Sequence, residues 1–225
     1  EYDQEFFSGE CNYDEIDRLV EITKENNNTG IIGFGGGKVL DTVKAVGYKA
    51  GIKTIIVPTN AATCAGWSSH SAVYTTYGIA YEYLDEKKNP DLLFMDKKII
   101  FEAPKRYIIS GILDTLAKWI ETSASTRNLA KKNTETNIAI YLAKKSYEDM
   151  LKYSQVALEG IEKGEYTEAV DIIIENIILT AGLVGGVGGE ACRAVAAHAV
   201  NNGFTALPKI YRKNLHGEVV GFGNI

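Results

Sequence analysis

Paired cysteines, a basic segment and a long apolar run are all missing from the sequence. The three cysteines, Cys11, Cys64 and Cys192, are far apart and form no Cys-x-x-Cys or zinc-knuckle pattern, so we expect reduced thiols. The net charge of −5 comes from 24 basic and 29 acidic residues, with no basic block to follow a phosphate backbone. We therefore expect no nucleic-acid partner.

No uninterrupted apolar stretch reaches the roughly 18 residues of a membrane helix, and polar residues 1–4 do not resemble a signal peptide. These absences predict a cytoplasmic protein without a membrane partner. What remains is an ordinary globular composition, with 45% hydrophobic and 24% charged residues. The sequence has no initiator Met and its last helical pattern is cut short, so we expect an internal fragment of a longer protein.

Residues 1–103 have the pattern of an α/β domain with a parallel sheet. A short apolar run at 30–34 leads through glycines into a helical pattern that ends near residue 49, and a second apolar run follows at 54–58. This order predicts a βαβ unit. A third strand is predicted at 92–96, and a helix precedes the first strand.

Residues 104–225 predict an all-α second domain, because their apolar residues recur with a period near 3.6. We expect helices at about 104–125, 132–152, 167–184, 189–204 and from 213 onward. Pro104 suits the first turn of a helix.

The glycines at 35–37 stand between a predicted strand and a predicted helix, where backbone N–H groups can approach a phosphate. They could cradle the pyrophosphate of a dinucleotide, and a purely structural turn is the alternative. The pattern is neither G-x-G-x-x-G nor a P-loop, because Lys38 is followed by Val39 rather than Ser or Thr. Phosphoryl transfer is accordingly the weakest hypothesis.

Residues 59–74 form a long loop of small and hydroxyl side chains directly after a strand, where open parallel sheets bind ligands. Such a loop could surround a nicotinamide ribose. The alternative is an exposed turn without a function. Trp67 argues against it, because a Trp side chain is seldom left without packing.

A metal site is suggested by Asp114, which lies in an otherwise apolar stretch where a buried carboxylate would need a cation. His198 and His216 lie near apolar helix faces in the same half of the chain. One carboxylate and two imidazoles would leave positions open for water and a substrate oxygen, as a catalytic site requires. Each residue also has an ordinary explanation, because Asp114 could pair with Lys118 and each His could be a satisfied core residue.

Residues 33–44, 55–59, 111–114 and 216–217 together resemble the iron-containing alcohol dehydrogenase superfamily, with the glycerol dehydrogenase branch fitting best. The resemblance implies a metal held by Asp114, His198 and His216, with zinc preferred and iron as the alternative. It implies NAD or NADP as cofactor and a homo-oligomer, and it places the family's first βα portion and C-terminal helices outside the chain. The implied cofactor-binding residues are Gly36, Gly37, Lys38, Asp41, Thr59, Ser68, His70 and Tyr74.

The substrate implied by the resemblance is a small polyol or a 2-hydroxy acid, bound beside Cys64 and His198. Cys64 stands where glycerol dehydrogenases carry an Asp, and the surrounding residues 63–67, 183–186 and 193–198 resemble hydroxycarboxylate dehydrogenases, which reduce 2-oxo acids. A thiol replaces a hydroxyl-binding carboxylate poorly. A 2-oxo acid reductase and an inactive nucleotide-binding relative are therefore the competing hypotheses.

Overall fold

The computed structural model describes residues 2–193 and 195–225. Glu1, and Ala194 of the 193–198 motif, lie outside the described residues. In chain order the first part contains α1 (Tyr13–Glu25), β1 (Gly30–Gly35), α2 (Gly37–Ala50), β2 (Lys53–Pro58), β3 (His70–Tyr74), β4 (Ala80–Asp85), β5 (Leu92–Leu93) and α3 (Lys97–Glu102). The rest contains α4 (Lys105–Ser125), α5 (Thr134–Lys163), α6 (Glu168–Glu175), α7 (Ala181–Gly188), α8 (Ala196–Thr205), α9 (Pro208–Tyr211) and α10 (His216–Gly223).

The predicted parallel sheet is confirmed, with strand order β1-β2-β5. Strands β1 and β2 pair in register from Gly30 opposite Lys53 to Gly35 opposite Pro58, and α2 connects them. The third strand is shorter than predicted, because Asp96 caps α3 by accepting from the N–H groups of Lys98 and Ile99. The carboxyl ends of β1 and β2 therefore lie side by side and open toward the same edge.

An antiparallel hairpin of β3 and β4 was not predicted, and the loop expected at 59–74 is wrong for its last five residues. Ser71 and Val73 are almost completely buried, whereas Ala72 and Tyr74 are only half-buried. This alternation is the signature of a strand, and it places Tyr74 on the more open face of the hairpin.

Helices occupy the region from residue 104 onward as predicted, but the short helix α9 was not predicted, the helix expected at 167–184 continues to Gly188, and the last helix begins at His216. The two largest boundary differences concern α5 and α8. Helix α5 continues to Lys163 rather than ending near 152, and it stops at Gly164, whose φ of 71° suits a left-handed helix end. Helix α8 begins at Ala196 rather than 189, because Gly189 has a φ of 57° and residues Gly189–Cys192 form a 3₁₀ turn.

The apolar segment Glu168–Cys192 is long and apolar enough to cross a membrane by length and composition, with a mean hydropathy of 1.8. This criterion tolerates charged residues within the window, so it is broader than the expectation that no uninterrupted apolar stretch reaches about 18 residues. In the fold the segment comprises α6, a π-helical turn at Asn176–Thr180, α7 and the 3₁₀ turn. Its isoleucines at 173, 174, 177 and 178 are fully buried in the main core, which explains the apolar composition without a membrane.

Two glycines allow α4 to pack closely against its neighbours. A Cβ on Gly111 would lie 2.1 Å from the backbone oxygen of Ala61, and one on Gly217 would lie 1.9 Å from that of Ser110. Both contacts are with backbone atoms, which cannot move aside without disturbing the chain around them. These contacts hold the segment after β2 and the start of α10 against the middle of α4, and Asp114 lies on that same stretch.

Candidate functional site

A cleft of about 650 Å³ extends from the carboxyl edge of the sheet to the helices α4, α8 and α10. It brings together nearly all of the predicted site residues. Those that line it are Gly36, Gly37, Lys38, Asp41, Cys64, Ser68, His70, Tyr74, Asp114, His198 and His216. Thr59 is the exception: it follows β2 directly, with its N–H donating to the Gly35 carbonyl, and is not among the lining residues.

The glycine turn forms one end of the cleft. Gly36 caps α2 without any side-chain hydrogen bond, so the first N–H groups of this 14-residue helix are left for another acceptor. The Asn60 side chain lies opposite, where a Cβ on Gly36 would come within 2.9 Å of Nδ2. The absence of a side chain on Gly36 lets the Asn60 amide lie close to the turn, and the helix N-terminus favours an anion.

The charged side chains next to this turn are already paired. Lys38 Nζ lies 2.6 Å from Glu10 Oε2 and 5.2 Å from the Tyr74 ring centroid. Asp41 accepts from the Ala72 N–H and lies 2.9 Å from buried Lys44. Lys38 and Asp41 thus hold the walls of the cleft in addition to lining it.

Buried Lys44 fixes the wall formed by residues 68–70. Its Nζ donates to Ser68 Oγ at 2.7 Å, to the Ser68 carbonyl at 3.2 Å and to the His70 carbonyl at 2.6 Å. Burial and the nearby Lys44 cation lower the pKa of His70 to about 3, so its imidazole is neutral near pH 7. His70 can offer a hydrogen bond there but no charge.

Asp114 is 1% exposed in the middle of α4 and carries the chemistry at the other end of the cleft. Its Oδ1 lies 3.2 Å from His198 Nε2 and 3.6 Å from His216 Nε2, yet it has no hydrogen-bond partner among the described residues. Burial alone would raise the pKa of Asp114, but the Lys118 ammonium and the two imidazoles hold it well below its usual range. The carboxylate is therefore ionised and buried, with an ammonium and two imidazoles beside it but no well-aligned hydrogen bond to Oδ1 among the described residues.

His198 is oriented by Glu121, a residue that the sequence reasoning missed. Glu121 Oε2 lies 2.6 Å from His198 Nδ1, while Oε1 accepts from the backbone N–H groups of His198 and Val195. This leaves Nε2 of His198 facing Asp114. A carboxylate behind a metal-ligating imidazole commonly fixes the tautomer and the ring orientation.

Lys118 and Cys64 complete this end of the cleft. Lys118 Nζ lies 3.7 Å from Asp114 Oδ1 and 3.4 Å from His198 Nε2. Burial would lower the pKa of Lys118, but Asp114 raises it more, so the amine is a cation. Burial raises the pKa of the Cys64 thiol, which keeps it neutral.

The donor set fits a divalent cation. The ligand atoms of Asp114, His198 and His216 all lie within 4.8 Å of one another, and they comprise one carboxylate oxygen and two imidazole nitrogens. A buried carboxylate oxygen without a hydrogen bond is the group that a cation would satisfy. One oxygen and two nitrogen ligands suit zinc and iron alike, and leave coordination positions for small molecules.

The first part of the chain is similar to one family model, and nearly the whole chain is similar to several dehydrogenases. Residues 2–97 match the sequence model of "Iron-containing alcohol dehydrogenase". A glycerol dehydrogenase of Citrobacter freundii is 38% identical, and the match covers 98% of this chain and 60% of the relative. Hydroxycarboxylate dehydrogenase A of Escherichia coli (strain K12) is 35% identical, and the match covers 96% of this chain and 59% of the relative. The crystal structure of a probable glycerol dehydrogenase from Sinorhizobium meliloti 1021 matches with a TM-score of 0.88 at 33% identity, covering 98% of this chain and 61% of that one. The chain thus spans about 60% of the length of these relatives.

Proposed function

We propose that the chain transfers a hydride between NAD(P) and a small alcohol, because residues 2–97 match the iron-containing alcohol dehydrogenase model and a glycerol dehydrogenase is 38% identical to this chain. The expected substrates are small polyols and 2-hydroxy acids, since glycerol dehydrogenases and a hydroxycarboxylate dehydrogenase are both among its relatives. The structural likeness to a probable glycerol dehydrogenase supports the same reaction.

The observation that carries the proposal is the buried, unsatisfied Oδ1 of Asp114 facing Nε2 of His198 and Nε2 of His216. These three residues would hold the metal, with zinc as our first choice and iron as the second. When bound, the cation supplies Lewis-acid chemistry at a substrate oxygen and eases the loss of its proton. Cys64 and His198 would contact the substrate there.

The cofactor would lie along the cleft. The uncapped N-terminus of α2 at Gly36 and Gly37 suits its pyrophosphate. The nicotinamide half would then lie toward Ser68, His70 and Tyr74, within reach of the metal end. Lys38, Asp41 and Thr59 complete the proposed cofactor-binding set, with Thr59 supporting the strand end instead of lining the cleft.

At larger scale we propose a dinucleotide-binding domain at 1–103 and a metal-binding helical domain at 104–225. The division follows the change from sheet to helices after β5. We also propose a cytoplasmic homo-oligomer that uses neither nucleic acid nor membrane as a partner.

His198→Ala tests the proposal because it removes one ligand and frees Glu121. We expect bound zinc, measured by elemental analysis, to fall to background and NAD(P)-linked turnover to drop by at least about 100-fold. The reason is that only two of the three proposed protein ligands would remain. Gln155→Ala, exposed on α5, is the control and should change neither quantity. Full metal content and turnover in His198→Ala would refute the site, and no turnover in the zinc-loaded wild type would favour an inactive nucleotide-binding relative.

A further inference from the structure

The ammonium of Lys118 has no role in the proposed hydride transfer. It lies on the cleft wall, with 15% of the side chain exposed, one helical turn after Asp114 on α4. Its closest polar contacts among the described residues are His198 Nε2 at 3.4 Å and Asp114 Oδ1 at 3.7 Å. Asp114 is the nearest anion, but its distance of 3.7 Å is longer than a hydrogen bond, so N–H donors of the ammonium remain available to a ligand in the cleft.

The surroundings leave this charge available to a ligand. Asp114 is the nearest carboxylate, but the proposed cation would take up much of its charge. Glu121 contacts His198 Nδ1 and the backbone N–H groups of His198 and Val195, so its carboxylate lies on the side of His198 opposite Lys118. With a divalent cation present, Asp114, Glu121 and Lys118 would leave a net charge of about +1 at this end of the cleft, by simple formal counting.

The other side chains here add no negative charge. Cys64 is a buried thiol, and His70 lines the same cleft as a neutral ring. Tyr83, which also lines the cleft, donates its hydroxyl to Asn202 Oδ1 at 3.3 Å. Once the proposed cation has taken up the charge of Asp114, a neutral polyol would give the Lys118 ammonium no further counter-charge, whereas a carboxylate would supply one.

We propose that Lys118 binds the substrate carboxylate, and that the preferred substrates are 2-oxo acids and the corresponding 2-hydroxy acids. This inference rests on the proposed dehydrogenase function and narrows its substrate class. An ammonium next to the reacting carbon's oxygen discriminates a carboxylate from a neutral group through a charge-assisted hydrogen bond.

The reaction balances without a further reagent. A hydride leaves C4 of the reduced nicotinamide and bonds to the carbonyl carbon of the 2-oxo acid. The π electrons of the carbonyl move to its oxygen, which takes a proton from solvent, and the products are a 2-hydroxy acid and the oxidised nicotinamide. The carboxylate held by Lys118 is unchanged.

The test compares two substrates with the same ethyl ketone but different charge, 2-oxobutanoate and 1-hydroxybutan-2-one. In Lys118→Met, which keeps an unbranched side chain one atom shorter and removes the charge, we expect kcat/KM for 2-oxobutanoate to fall by about 100-fold, as loss of a charge-assisted hydrogen bond implies. The value for 1-hydroxybutan-2-one should stay within about threefold. Lys118→Arg should recover part of the loss for the acid alone.

A binding measurement separates this inference from the proposed function. Calorimetric titration of zinc-loaded protein with 2-hydroxybutanoate needs no turnover, and we expect at least about tenfold tighter binding to the wild type than to Lys118→Met. Tighter binding without turnover would support the Lys118 site while refuting the dehydrogenase. Equal binding, or equal loss of kcat/KM for both ketones, would overturn the role of Lys118 whether or not the enzyme is active.

Discussion

At the scale of single residues, the candidate site depends on which nitrogen of His198 faces Asp114. Glu121 decides this by lying 2.6 Å from Nδ1, which leaves Nε2 of His198 facing the carboxylate. Burial alone would raise the pKa of Glu121, but its contacts with His198 lower it. Glu121 is thus a positioning residue for the proposed metal.

Glu121→Gln should weaken zinc binding by about 10- to 100-fold, the usual effect of removing a carboxylate behind a ligating imidazole. The amide keeps the shape but loses the charge, so the thermal midpoint of the metal-free protein should move little. Competition with a fluorescent chelator measures the zinc affinity. Glu159→Gln, exposed on α5, is the matched control; unchanged affinity in Glu121→Gln would contradict the assignment.

Some residues of the candidate site could be predicted from the sequence and others could not. Asp114, His198 and His216 were predicted chiefly from the family resemblance, and the structure brings their ligand atoms within 4.8 Å of one another. Glu121 was missed although it lies seven positions after Asp114 on α4 and thus on the same helical face. Its partner lies on another helix, and a contact between distant segments leaves no local signal.

At the scale of helices and strands, His216 is positioned by the packing of α10 on α4. Gly217 makes the contact, since its Cα lies against the Ser110 carbonyl and its N–H donates to Ser110 Oγ at 3.1 Å. His216 is the first residue of α10. Any shift of this helix away from α4 would carry the imidazole away from Asp114.

Gly217→Ala should therefore destabilise the fold by roughly 1–3 kcal/mol, as overpacking commonly does, and should weaken zinc binding at the same time. Gly203→Ala is the control, because a Cβ at Gly203 in α8 meets nothing within 4 Å. Replacing this helical glycine should leave stability unchanged or raise it by up to about 1 kcal/mol. Urea unfolding and chelator competition measure both effects, and a Gly217→Ala protein as stable as Gly203→Ala would disprove the packing argument.

The βαβ unit was predictable because strand, glycine turn and helix follow one another locally. The hairpin was not, because β4 is largely exposed and half of β3 is small or polar, so neither carries a strong apolar alternation. The start of α8 was missed for a different reason. A left-handed Gly189 interrupts an apolar pattern whose periodicity continues across the break.

At the scale of the whole molecule, a buried ionic cluster joins the hairpin to α2. Lys44 pairs with Asp41 and also lies near Glu86, which is 4% exposed and accepts from the Ser71 hydroxyl. Burial raises the pKa of Glu86 from 4.5 to about 7, despite the opposing effect of Lys44. Folding thus keeps a proton on Glu86 at pH values where the unfolded chain loses it.

The free energy of unfolding should consequently fall as pH rises from about 4.5 to 7, by up to about 3 kcal/mol from Glu86. The sign follows because the unfolded state holds fewer protons in this window. Glu86→Gln should match the wild type near pH 4.5 and exceed its stability at pH 8, as measured by urea unfolding at both values. The control Glu21→Gln, at an exposed position, should have the same free energy of unfolding as the wild type at each pH. If Glu86→Gln also matched the wild type at both pH values, the raised pKa of the folded Glu86 carboxyl would be contradicted.

The three proposed ligands also have a topological consequence. A cation bound by α4, α8 and α10 would close a long loop between residues 114 and 198 and a short loop between residues 198 and 216. The entropic cost of closing a loop grows only with the logarithm of the loop length. Doubling a loop costs only about 0.6 kcal/mol, so insertions in the exposed connection 127–132 would be nearly neutral for metal affinity. The short loop includes α9, whose Pro208 and Tyr211 line the cleft, and changes of length there would distort the cleft wall directly.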